Sequence, residues 1–255
     1  MAHHTPQSNL AARREHEKAA AKALAGLAHS LVIDFLRGWN SATNINILMA
    51  EQAVQQAYAL DRSVALAHVA ESKIREVRGD LQGEIDALNE ALKLDPDLAD
   101  AYAHKANALI LLGRAKEALD VLKMAPEPNR GDPELGLFYW FMGRAYFHMK
   151  DYDPDIKDYD PAIHWLKKSV GVRPTTWFSW AHLISAYALT GQFEEAQAAV
   201  KNEYRPRFAA DWPLDPNIRD YYKQAKYRST EPQLRKALDA YLDGLKIAKE
   251  KADFP

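Results

Sequence analysis

The 255-residue sequence contains no cysteine, so disulfide bonds, thiol nucleophiles and Cys-ligated zinc are excluded. That absence suits a reducing compartment. Long apolar runs are missing too: ALILL at 108–112 is far short of the roughly 20 residues that span a bilayer. The N-terminal stretch MAHHTPQSNLAARREHEKAAAK is charged where a secretion signal would be apolar, so the expected location is cytoplasmic. No large excess of one charge exists, since the net charge is −2, and nothing general favours nucleic acid as a partner. Signatures of catalysis are also lacking, with no phosphate-binding glycine loop, nucleophile elbow or H-E-x-x-H zinc motif. The chain is therefore expected to be neither an enzyme nor a cofactor carrier.

What remains is a folded composition, 47% hydrophobic and 27% charged. Between about residues 10 and 250 apolar residues recur at helical spacing, and no stretch alternates for long like a strand. Near the C-terminus Leu234, Leu238, Tyr241, Leu242 and Leu245 form one apolar stripe with Lys and Asp opposite. An all-α chain follows.

Self-similarity sets the arrangement. AYALDR at 57–62 and ALKLDP at 91–96 lie 34 residues apart, and so do Gly79 in RGDLQGEI and Gly113 in LGRAKEAL. Trp180, Leu183, Tyr187, Gly191 and Ala196 complete one copy of the pattern. Tyr139, Gly143, Tyr146, Ala162 and Pro174 make another, and Tyr102, Ala106 and Ala118 a third. One copy is degenerate, with Ser72, Arg75 and Glu84 where small or aromatic residues are usual. The earliest has Ile45 in place of the turn glycine. A 34-residue helix–turn–helix period is characteristic of one repeat class, and residues 31–203 resemble five tetratricopeptide repeats. Two segments, DPELGLFYWFMGRAYF and WFSWAHLISAYALTG, are similar to the repeat tails of bacterial class III adenylate cyclases and winged-helix regulators. The resemblance implies a right-handed α-solenoid: an N-terminal tail and leading helix over 1–30, repeats over 31–203, and a helical cap over 204–255. Small residues admit close helix approach, and stacked repeats share one core.

Gly113 and Gly191 are 78 residues apart, ten more than two periods. Three of the extra residues fall in the linker APEPNRGDPE. The other seven are a duplication, since KDYDP occurs at 150–154 and again at 157–161, and a protruding inter-helix loop is expected near 151–157. Its aspartates begin like a calcium loop but lack the glycine at position six and the glutamate at twelve, so it reads as a solvated turn. RGD occurs at 78–80 and 130–132, in both cases where a turn or linker is already required.

The strongest remaining signal is aromatic. FYWFMGRAYF at 138–147 carries six rings in ten residues, and Trp140, Arg144 and Phe147 fall on a different face from Tyr139 and Tyr146. The register of the repeats implies that this face lines a concave groove. Lys73, Asn107 and Ser185 stand at the position equivalent to Arg144, and His104, His148 and His182 lie nearby on first helices. These nine residues form the candidate partner-binding groove, because aromatic and arginine side chains anchor interfaces well. An equal reading packs Trp140 and Phe147 under the C-terminal helices. A clamp for a terminal carboxylate is disfavoured by Ala103 and Phe141. The expected role is an adaptor or assembly factor for a protein or peptide, with a second copy of this chain among the options. A detached regulatory or sensor module is the alternative.

Overall fold

The computed structural model describes residues 6–37, 44–126, 131–132, 134–149, 159–204, 206 and 232–251. Among them the regular structure is helical: α1 (Pro6–Arg37), α2 (Asn44–Leu60), α3 (Ala65–Arg78), α4 (Leu81–Leu94), α5 (Ala99–Leu111), α6 (Ala115–Met124), α7 (Leu135–Met149), α8 (Asp160–Val172), α9 (Trp177–Leu189) and α10 (Phe193–Ala198). A π-helical turn, Ala199–Tyr204, continues α10, and α11 spans Pro232–Lys251. No described strand is present, as the periodicity requires. The fold class expected from sequence is the one observed.

Three of the tight turns are built in one way. Gly79, Gly113 and Gly191 have φ of 73°, 74° and 77°, where a side chain would be strained. At each, the glycine N–H reaches the carbonyl three residues back, and the next N–H reaches the carbonyl five residues back. The three longer-range bonds are Asp80 to Arg75 (2.9 Å), Arg114 to Leu109 (2.8 Å) and Gln192 to Tyr187 (2.9 Å). This double bond closes the carbonyl end of a helix and turns the chain. Asp80 then caps α4, its Oδ1 accepting from Gly83 N–H at 3.0 Å.

The chain divides into two units, Met1–Ala108 and Leu109–Pro255, the boundary falling inside α5. In the first, α1 packs on α2 and α3, and α2 and α4 on α3. Alanines make the close contacts: Ala28, Ala50, Ala53 and Ala70 join Val32, Ile47, Val54 and Ile74 in one buried cluster. α1 runs unbroken through residue 30, where the sequence reading ended the leading helix. Ile45, the residue in place of a turn glycine, stands in the first turn of α2.

In the second unit α7 packs on α6 and α8, and α9 on α8, α10 and α11. The expected close approach at Gly143 is present, since an added Cβ would lie 2.6 Å from Leu166 Cγ. Ala118, Ala162 and Ala196, equivalent positions of second helices, are fully or almost fully buried. The expected loop at 151–157 lies outside the described residues, as do the side chains of Leu234 and Leu238. Tyr159, the second tyrosine of the duplication, is buried with its ring 4.8 Å from that of Phe147.

Candidate functional site: two buried polar clusters

The nine sequence-proposed residues divide between the units. Trp140, Arg144, Phe147 and His148 from α7, with His182 and Ser185 from α9, come together in the second. They are buried there, Arg144 at 1% exposure and His182 and Ser185 at 0%. α11 is what covers this face. Ser185 Oγ donates to the Tyr241 carbonyl at 2.9 Å, and the Tyr241 ring lies 4.6 Å from His182 and 6.1 Å from Phe147. Gly244 permits the contact, because a Cβ there would sit 2.7 Å from the Ser185 carbonyl oxygen. An open groove lined by these side chains is therefore not what the second unit presents. The apolar stripe of α11, a helix of the same chain, occupies the face that these side chains share.

Beneath α11 the polar groups form a tight set. Arg144 stacks over Trp140 with 5.2 Å from its guanidinium carbon to the ring centroid. The imidazole of His182 has Nδ1 2.8 Å from the Phe178 carbonyl and 3.4 Å from Trp140 Nε1. One nitrogen cannot donate to a carbonyl and accept from an indole together. The shorter contact makes Nδ1–H the donor to Phe178, and leaves Trp140 in van der Waals contact. Burial, and then the positive charge of Arg144, push the pKa of His182 down to about 3, against the opposing bond to Phe178. The same two causes and His182 itself drive His148 well below its ordinary value. Both imidazoles are therefore neutral at pH 7.

Lys73, His104 and Asn107 belong to the first unit, and their surroundings were not foreseen. Lys73, on α3, is buried with Nζ 3.6 Å from Glu76 Oε2. His104, on α5, has Nε2 3.0 Å from Asp100 Oδ1. Glu84 of α4 completes the group. Its carboxylate is fully buried with no hydrogen bond to either oxygen, and Glu76, Glu84 and His104 offer ligand atoms within 4.8 Å of one another. Burial first, and the charge of Glu76 second, push Glu84 up to about 9, while Lys73 pulls the other way. Asn107 is buried on α5 as well. The sequence carried one signal of this cluster: Glu84 stands 34 residues before Ala118, at a position other repeats give to a methyl group.

Comparison with known proteins bears on the fold. Residues 78–139 match the tetratricopeptide repeat family. The structure is similar to that of PilW, described as a widely conserved type IV pilus biogenesis factor: TM-score 0.60, 16% identity, covering 89% of this chain and 96% of that one. It is also similar to pilF of Pseudomonas aeruginosa, with TM-score 0.61, 18% identity and coverage of 92% and 94%. No curated protein sequence matches the chain. The fold is thus an α-solenoid of tetratricopeptide-like helix pairs. No helix among the described residues is long and apolar enough to cross a membrane.

Proposed function

We propose that the protein is a non-catalytic adaptor whose second unit takes an amphipathic helical segment of a protein partner on the α7–α9 face. The observation that supports this is α11 itself. It lies on that face with Tyr241, Leu245 and Ala248 buried, and the Tyr241 carbonyl accepts the hydrogen bond from Ser185 Oγ. A surface that seats one helix through its apolar stripe can seat another of similar pattern, as helix-in-groove recognition does. The partner's segment and α11 then compete for Phe147, His182 and Ser185. A role in assembly, such as the name of the pilus biogenesis factor describes for that protein, is one setting for such exchange. Regulation of a separate effector is the other.

The test uses the full chain. Gly244→Leu forces α11 away from α9, and a labelled peptide of residues 232–251 serves as the stand-in helix. The variant is expected to bind this peptide in trans at least tenfold more tightly than the parent chain does. Adding Phe147→Ala should reverse the gain. A released chain that ignores the peptide refutes a helix-binding face, and bait made from the same variant then has no reason to retain a partner from the source cell.

A further inference from the structure

Glu84 is the wrong residue for the place it occupies. Ala118, Ala162 and Ala196 hold the equivalent position with at most 1% exposure, which leaves room for a methyl group where two helices meet. A carboxylate there loses its hydration, and neither oxygen finds a hydrogen-bond donor. Such burial is strongly unfavourable unless a charge or a donor compensates it. Around it stand Glu76 from α3, with Oε2 also buried and lacking a hydrogen bond, and His104 from α5.

We propose that Glu76, Glu84 and His104 form a binding site for one divalent transition-metal ion of the zinc class, with Asp100 orienting the imidazole. The donor set is two carboxylates and one imidazole, which suits zinc and its borderline neighbours better than magnesium or calcium. Ligand atoms within 4.8 Å of one another lie near the roughly 3.4 Å edge of a tetrahedral zinc site, which they would reach by closing inward on the ion. His104 has the arrangement that metal-bound histidines use. Its Nε2–H donates to Asp100 at 3.0 Å, which fixes the tautomer with a lone pair on Nδ1 and makes that nitrogen a better donor to a metal.

Charge points the same way. Glu76, Glu84 and Asp100 bring three negative charges when ionised, and Lys73 supplies one positive charge 3.6 Å from Glu76. A dication makes the group neutral. The bound ion would tie α3, α4 and α5 together within the first unit. Water would complete its coordination, and Lys73, as a nearby cation, would moderate the affinity. The site is separate from the α7–α9 face and does not depend on the function proposed for it.

The experiment strips the full chain of metal and titrates it with Co²⁺ and then Zn²⁺, the second in competition with a chromophoric chelator. One tight equivalent is expected, with visible Co²⁺ ligand-field bands that Zn²⁺ abolishes, and Zn²⁺ should raise the melting temperature. Glu84→Gln, close in shape and uncharged, should lose the bands and the thermal shift while folding normally. Asp100→Asn should weaken binding by about tenfold to a hundredfold. His3→Ala with His4→Ala should change neither reading, which separates the cluster from the paired histidines near the N-terminus. Should Glu84→Gln fail to fold, His104→Gln is read by the same bands. Absence of bands in the parent chain, or bands of equal strength in either cluster variant, overturns the site.

Discussion

Gly244 is the point at which α11 can be lifted from the second unit by the smallest chemical change. In Gly244→Ala the new Cβ would meet Ser185 Oγ first, and would lie 2.7 Å from the Ser185 carbonyl oxygen and 3.0 Å from Leu189 Cγ. An ordinary carbon contact needs about 3.5 Å or more, so α11 must move away from α9 by several tenths of an ångström. Forced displacement of this kind costs about 1–3 kcal/mol. The Ser185–Tyr241 hydrogen bond, 2.9 Å in the structure, stretches with it, and such bonds contribute about 1 kcal/mol. Opposing both, alanine is favoured over glycine inside a helix by about 1 kcal/mol. The balance is a loss of about 1–3 kcal/mol in the docking of α11, an increase of about five- to 150-fold in its undocked population. Amide hydrogen exchange over Tyr241–Ala248 reads this directly, and protection should fall by that factor. Gly26→Ala is the control: it lies within α1, nothing approaches its Cβ position within 4 Å, and it should stabilise α1 by up to about 1 kcal/mol without altering exchange in α11. Unchanged or increased protection in Gly244→Ala would show that the close seat of α11 on α9 does not exist, and the proposal that a helix binds this face would lose its footing.

The neutral histidines give a pH dependence. His182 and His148 titrate in the unfolded chain near 6.5 but far lower when folded, with Arg144 and Tyr241 facing them, so their contribution to stability is complete above pH 6.5 and falls as the pH drops below it. At pH 5 each should cost about 2 kcal/mol; imidazole resonances of both that titrate near 6.5 would contradict the burial. The buried acid of the first unit has the opposite sign. With Glu84 displaced upward to about 9, its contribution is complete below its unfolded value of 4.5 and declines as pH rises toward 9, so metal-free Glu84→Gln should gain stability over the parent chain most clearly at pH 8. Gly113→Ala, at a φ of 74°, should destabilise by about 1–2 kcal/mol in thermal melts, and an unchanged melting temperature would argue against the left-handed turn. Deleting Asp151–Lys157 restores HMKDYDPAIHW and, if the sequence expectation of an inter-helix loop there holds, should leave the melting temperature within a few degrees, because loop length changes closure entropy little; a drop of many degrees would refute that expectation.

What could be read from the sequence was whatever a backbone geometry demands of one residue type. Gly79, Gly113 and Gly191 were recoverable as turns, since a positive φ excludes nearly every other side chain. Alanines at Ala106, Ala118 and Ala162 were recoverable as helix contacts, since they are buried wherever two backbones come close. Periodicity also grouped Trp140, Arg144 and Phe147 on one face, but it could not say what covers that face. The answer depends on α11, about 100 residues further along, whose apolar stripe fits against α9 through one glycine and one serine. The buried acidic cluster was harder still. Glu84 was visible as a misfit in the repeat, and the misfit read as degeneracy. The residues that give it meaning, Glu76 on the preceding helix and His104 on the following one, share no periodicity with it and meet it only once three helices have packed. A repeat pattern describes what successive copies have in common, so a site made by departing from the pattern is read as noise until the packing is known. On this argument the degenerate copy that carries Glu84, and not the aromatic one that carries Trp140, is where chemistry specific to this protein should be sought.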